Sequence, residues 1–234
     1  MDQLKQIYEA YTEEEHKVWK LLFDRQVQNL KDKACDEYLK GLEVLKPALN
    51  AERIPDFSEL NPLLKAQSGW TIEVVPGLIE VDAFFELLSQ KKFPSSTWLR
   101  KREQLDYLEE PDMFHDIFGH IPQLVHADYS NFMQKFGEIG YKYHYDKEKV
   151  IQLQRLYWFT IEFGLIDTAA GLRIYGAGIT SSVKETQHVF AKDITVAPYD
   201  KKRIMDTDYI ISDIQNLYFK ITSFGDLFES LLLD

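Results

Sequence analysis

From Glu13 to Leu30 the apolar residues Val18, Leu21, Leu22, Val27 and Leu30 recur every three to five positions with charges between them, the pattern of one buried helix face. The same periodicity predicts helices at Asp36 to Leu45, Val81 to Gln90, Tyr129 to Ile139, Lys147 to Phe163 and about Ser182 to Phe190. The last opens on Ser182 with Glu185 three residues later, the spacing of a capping box. Strand signals are short. Trp70 to Val75 holds the β-branched Thr71, Ile72, Val74 and Val75 and stops at Pro76 and Gly77, and Leu172 to Tyr175 and Ile194 to Val196 are the other candidates. The order predicts a mostly α fold with a small β component. No Gly/Ser-rich or charged linker and no repeat interrupts the 234 residues, so a single domain is expected.

Composition narrows the partners. The net charge is −11, from 38 acidic and 27 basic side chains, which disfavours phosphate backbones and anionic membranes. No nucleic acid and no membrane are expected as partners. The start has no apolar signal-peptide core and no apolar run reaches membrane-spanning length. A lone cysteine, Cys35, excludes an internal disulfide and suits a reducing, cytoplasmic setting.

Candidate chemistry centres on EPDMFHDIFGHIP. His115 and His120 are five apart. At ~100° per residue their side chains would diverge by ~140° on a straight α-helix. Gly119 and Pro122 are stop signals, so a helix is expected to end near His115, with His120 on chain that turns away. Neither an HExxH zinc motif nor a set of thiolates is present. The remaining metal arrangement is two histidines and one carboxylate, which leaves one face of Fe(II) open. Glu162, a lone acid in the apolar run LYWFTIEFGLID, is the carboxylate candidate. On residue types alone, two ordinary histidines and a Glu162 paired with a buried cation fit the same pattern.

These residues carry a resemblance. EPDMFHDIFGHIP, a glutamate in YWFTIEFGL 42 positions after the second histidine, and then YGAGITSS resemble the catalytic domain of the tetrahydropterin-dependent aromatic amino acid hydroxylases. YTEEEHKVWKLLFDRQ, IPDFSELNPLL, GWTIEVVPGLI and EQLDYLEEPD follow the family's order too, so the likeness spans about Tyr11 to Ser182. It implies a single catalytic domain, without regulatory or tetramerisation domains, acting as a monomer. It further implies a monooxygenase that uses Fe(II), O2 and a tetrahydropterin, with His115, His120 and Glu162 as ligands.

For the pterin, the resemblance implies stacking on Phe84, backbone contacts from Gly77, Leu78 and Ile79, and contributions from Asp116 and Tyr157. Asp116 departs from the glutamate usual in the family. For the amino acid it implies a carboxylate on Arg100, a ring pocket of Tyr107, Pro111, Trp158 and Phe163, and contributions from Gly178 and Ser181, whose serine also hydrogen-bonds a ligand histidine. Trp158 argues against the tryptophan-hydroxylating branch, and the bacterial-like form favours phenylalanine, giving tyrosine, with tyrosine or tryptophan hydroxylation as alternatives. A 2-oxoglutarate oxygenase would show His-x-Asp, whereas Asp116 directly follows His115. A non-catalytic ligand-binding relative is the reading from another class. The apolar segment after Ala197 is expected to close the core or cover the site.

Overall fold

The computed structural model describes residues 4–106, 108, 110–211 and 213–232. Helix α1 (Glu13–Leu30) begins at a reciprocal cap, in which the Glu15 N–H donates to the Thr12 hydroxyl and the Thr12 N–H to the Glu15 carboxylate. Its buried stripe is Val18, Trp19, Leu22, Gln26 and Leu30. Val27, expected to face inward, is exposed. The inward position belongs to Gln26, whose amide donates to Thr186 Oγ1 at 2.9 Å, so a polar residue can hold a core site when its partner is fixed.

Helix α2 (Asp36–Leu45) follows, and then α3 (Phe57–Ser68), a helix that the periodicity left out. Its ends are well signalled: Asp56 caps Ser58 N–H at 2.8 Å, and Gly69 takes the left-handed φ of 79° that a C-terminal cap needs. Pro62 inside the helix reads as a breaker and hides it. Strand β1 (Thr71–Val74), helix α4 (Val81–Ser89) and strand β2 (Lys92–Ser95) form a crossover unit with β1 and β2 parallel. The Asn61 side chain closes the outer edge of β1, accepting from Ile72 N–H at 2.6 Å and donating to Ile72 O at 3.2 Å.

Helix α5 (Ala127–Tyr143) packs tightly against α4. A Cβ at Gly137 or Gly140 would fall within 2.4 Å of Ser89 N or of the Phe85 ring, so only glycine allows this approach. Helix α6 (Lys147–Tyr157) leads to a second sheet made of β3 (Leu165–Thr168), β4 (Gly171–Ile174), β5 (Thr195–Pro198) and β6 (Leu217–Ile221), ordered β4-β3-β6-β5. Only β3 and β4 are antiparallel. Helices α7 (Ala177–Thr180), α8 (Val183–His188) and α9 (Lys201–Met205) are short, and α10 (Phe224–Leu232) lies against α5. The expected mostly helical fold with a small β component is therefore found. Cys35 caps α2 from a buried position, its N–H donating to Ile174 O at 2.9 Å beside β4. Among the described residues no helix is long and apolar enough to cross a membrane.

Candidate metal centre and active site

One buried carboxylate prepares the approach to the histidines. Asp112 accepts Arg100 Nε at 2.9 Å and Nη2 at 2.8 Å, a two-pronged pairing, and also the Arg100 main-chain N–H. The same carboxylate accepts His115 N–H at 3.1 Å and so caps the turn that follows. Sequence reasoning missed Asp112, although an acid three residues before the first histidine of EPDMFH is a capping spacing.

That turn, His115–His120, is a π-helix. In its i→i+5 register, residues five apart share a face, so the divergence expected from α-helical winding disappears. The expected helix end at His115 is thus corrected: the helix widens and continues, Gly119 lies inside it, and Pro122 opens a separate 3-10 turn, Pro122–Val125. Gly119 is where α7 crosses, since a Cβ there would meet Ala177 O at 3.0 Å. From α2 the Tyr38 hydroxyl donates to Phe118 O at 2.6 Å, which satisfies a buried carbonyl of the turn. Glu162 ends a second π turn, Trp158–Glu162, that extends α6, so the predicted helix from Lys147 to Phe163 changes its winding part-way.

The three ligand candidates converge. His115 Nε2 and His120 Nε2 are 3.2 Å apart, and Glu162 oxygens lie 3.6 Å and 3.2 Å from them respectively. Ligands about 2.1 Å from one first-row ion and near right angles to each other lie about 3 Å apart, so these edges fit a metal bound on one face. Glu162 is buried, and among the described residues its ionic partners are the two imidazoles and no Lys or Arg. The alternative of a hidden cation is thereby removed.

Hydrogen bonding fixes the His115 tautomer. Ser181 Oγ donates its single proton to Ala177 O at 2.7 Å, so at 2.9 Å it must accept from His115 Nδ1–H. The Nε2 lone pair is left facing the centre. His120 is held differently. Its Nδ1 is buried without a hydrogen-bond partner among the described residues, and the ring packs on Phe93 with centroids 4.7 Å apart. Burial pushes the His120 pKa down, whereas at His115 the attraction and hydrogen bond of Glu162 overcome burial and raise it. Burial raises the Glu162 carboxyl, but attraction to His120 and His115 outweighs it and holds the group well below the usual carboxylate range.

Residues 2–232 match the biopterin-dependent aromatic amino acid hydroxylase family. The chain belongs to this family. The phenylalanine-4-hydroxylase of Caulobacter vibrioides is 45% identical over 235 residues, covering 99% of this chain and 78% of that protein. The enzyme of the same name from Chromobacterium violaceum is 45% identical, over 99% of this chain and 77% of its own length. A crystal structure of the Chromobacterium violaceum enzyme with iron(III) and 7,8-dihydrobiopterin superposes with a TM-score of 0.94 at 45% identity, covering 98% of this chain and 83% of that one. Its iron- and phenylalanine-bound form gives a TM-score of 0.93 at 43% identity, over 99% and 84% of the two chains.

Around the centre of this hydroxylase, the remaining site candidates fall into two groups. On the side of α4, Phe84 meets Tyr157 edge to face at 5.4 Å, and Tyr157 lies over His120 at 6.4 Å. Phe84, Tyr157 and Trp158 line one cavity of about 190 Å³ together with Tyr209. The loop Gly77 to Ile79 precedes α4; Gly77 has a φ of 155°, and Leu78 is 72% exposed. Asp116 turns to the end of β2, accepting Ser96 N–H at 3.0 Å, and burial, only partly opposed by His115, pushes its carboxyl up to about 7.

On the other side, Arg100 is buried, with Nη1 on Leu105 O at 3.3 Å besides its grip on Asp112. Among the described residues, one N–H on each terminal nitrogen of the guanidinium has no hydrogen-bond partner. Trp158 and Phe163 are in ring contact at 4.7 Å. Gly178 lies against both the Phe163 ring and the Glu162 carboxylate, where a Cβ would come within 3.0 Å and 3.2 Å of them. Pro111 is exposed beside Asp112, and Tyr107 falls outside the described residues. Tyr209 and Gln215, from the segment expected to close the core or cover the site, contact Trp158 directly.

Proposed function

We propose that this chain is a phenylalanine 4-monooxygenase, an iron- and tetrahydropterin-dependent enzyme that inserts one atom of O2 into the ring of L-phenylalanine to give L-tyrosine. The observation that carries this reading is the convergence of His115 Nε2, His120 Nε2 and a Glu162 oxygen on one point, with the His115 lone pair aimed there by Ser181. Two neutral imidazoles and one anion are the donor set that suits Fe(II) while leaving coordination positions open. When bound, iron and the tetrahydropterin supply the activation of O2.

The chain's own residues supply position. Asp112 orients Arg100, whose remaining N–H groups receive the amino acid carboxylate. Trp158 and Phe163 flank its ring. Phe84 offers a flat face to the pterin, and the Gly77 to Ile79 backbone and Asp116 hold its edge beside Tyr157. Gly178 keeps the space against Glu162 clear of a side chain. The same reading makes the chain a single catalytic domain, monomeric and cytoplasmic, which size-exclusion chromatography and fractionation test.

Anaerobic loading with Fe(II), followed by pterin-dependent tyrosine formation, tests the assignment. A single iron and coupled tyrosine are expected, and both are lost in His115→Ala, His120→Ala and Glu162→Ala. An iron-free His120→Ala protein with full activity would sink the ligand set. Faster turnover of tyrosine or tryptophan would overturn phenylalanine as the substrate.

A further inference from the structure

Trp158 is held from behind by a single amide. Its indole stacks on Tyr209 with centroids 4.5 Å apart and planes at 17°. Its Nε1–H donates to Gln215 Oε1 at 3.0 Å. Gln215 is 5% exposed, and its amide nitrogen donates to Ile210 O at 2.6 Å and to Asp213 O at 3.3 Å. Its main-chain carbonyl accepts from His188 Nε2 at 3.0 Å, which anchors it to α8. Two donors and one anchor therefore fix which way the amide points, and they leave its oxygen aimed at the indole. Ile210 and Ile211 are exposed, at 57% and 73%, so apolar burial does not hold this part of the segment. The Gln215 side chain therefore shares in setting the course of this segment, beside the Arg155–Asp208 ion pair and the packing of Tyr209 itself.

We propose that Gln215 is a positioning residue: through its hydrogen bond to Trp158 and its hold on the segment bearing Tyr209, it sets the indole plane against which the substrate ring lies. The inference rests on Trp158 forming the wall of the amino acid pocket. An indole N–H only donates, so without the Gln215 oxygen it has a reason to turn toward another acceptor or water. A turned indole changes the width of the slot available to a flat ring. Binding of the amino acid, and the choice between one-ring and two-ring substrates, then shift while iron and pterin binding do not.

The test is a double-mutant cycle in the iron-loaded enzyme. Gln215→Met keeps the length of the side chain and removes its hydrogen bonds, while Trp158→Phe removes the N–H that Gln215 holds. With Trp158 present, Gln215→Met is expected to raise KM for phenylalanine roughly five- to tenfold, a coupling ordinary for touching residues. It is also expected to change the phenylalanine-to-tryptophan rate ratio, with iron content and pterin KM unchanged. In the Trp158→Phe background the same substitution is expected to raise KM clearly less, because only the hold on the Tyr209 segment is left to lose. An unchanged KM and ratio, or an equal rise in both backgrounds, would overturn the proposal. Should Gln215→Met not fold, Gln215→Asn withdraws the amide by one methylene and carries the same expectation. Trp158→Ala separates the two levels: if it leaves the amino acid KM untouched, the pocket reading fails, whatever Gln215 does.

Discussion

The turns His115–His120 and Trp158–Glu162 are both wound in the π register, yet they use it for different ends. In the first, residues five apart bring two imidazoles within 3.2 Å, nitrogen to nitrogen. In the second, the Phe163 N–H donates to Trp158 O at 2.9 Å, and residues five apart bring two aromatic rings to 4.7 Å. One spacing builds a metal-binding pair and, in the other helix, an aromatic wall. The supports differ accordingly. The first turn is fixed by polar contacts to its backbone and to one ring, from Asp112, Tyr38 and Ser181. The second presents Trp158 to the C-terminal segment, where stacking on Tyr209 and one side-chain hydrogen bond hold it. Ion binding needs nitrogen lone pairs aimed within tenths of an ångström, whereas ring recognition tolerates sliding within an offset stack.

If the two turns are separable in this way, substitutions at their common boundary should damage both functions. The largest effect is expected from Gly176→Ala, whose Cβ would lie 2.4 Å from Glu162 O and 2.5 Å from Gly164 N. Backbone must move, which costs about 1–3 kcal/mol of stability, and both iron retention and amino acid KM should worsen. Calorimetry with metal analysis checks this, and an unchanged Tm would contradict the packing. Ser181→Ala acts on the first turn through His115. Iron affinity should fall about 10–100-fold as His115 loses its orienting partner, which equilibrium iron titration checks. Phe163→Leu touches the wall. A rise of about threefold in amino acid KM is expected from losing an aromatic contact of about 0.5–1.5 kcal/mol, with iron affinity intact; a parallel loss of iron would show that the turns are not independent.

Much of the scaffold was legible because its signals are local. Helices α1 and α2 start and stop where the pattern places them, and Ser182 caps α8 by accepting from Glu185 N–H at 3.3 Å. The ligand residues were legible as types but not as geometry, since a period of 3.6 residues was assumed where the chain adopts a wider turn. The supports from α2 and α7 come from residues distant in sequence, and the one local support, the Asp112 carboxylate three residues before His115, reads as an ordinary helix cap rather than as a sign of wider winding. Strands β2, β3 and β6 are no shorter than the strands that were expected, and they escaped because they borrow their order from neighbours, with Pro94 in β2 reading as a breaker. Gln215 escaped for a similar reason, as a lone amide in a mostly apolar stretch whose value depends on an indole 57 positions away.

Cys35, described above as the cap of α2, has a consequence for a protein whose chemistry consumes O2. Its sulfur is fully buried, and desolvation pushes its pKa up to about 12. The thiolate, which is the form that reacts with peroxides, is therefore almost absent at neutral pH. Reduced oxygen species that escape a failed turnover meet in the single buried cysteine neither a ready sulfenic-acid site nor a partner for an internal disulfide. Oxidative inactivation would have to act elsewhere, and thiol reductants would not reverse it.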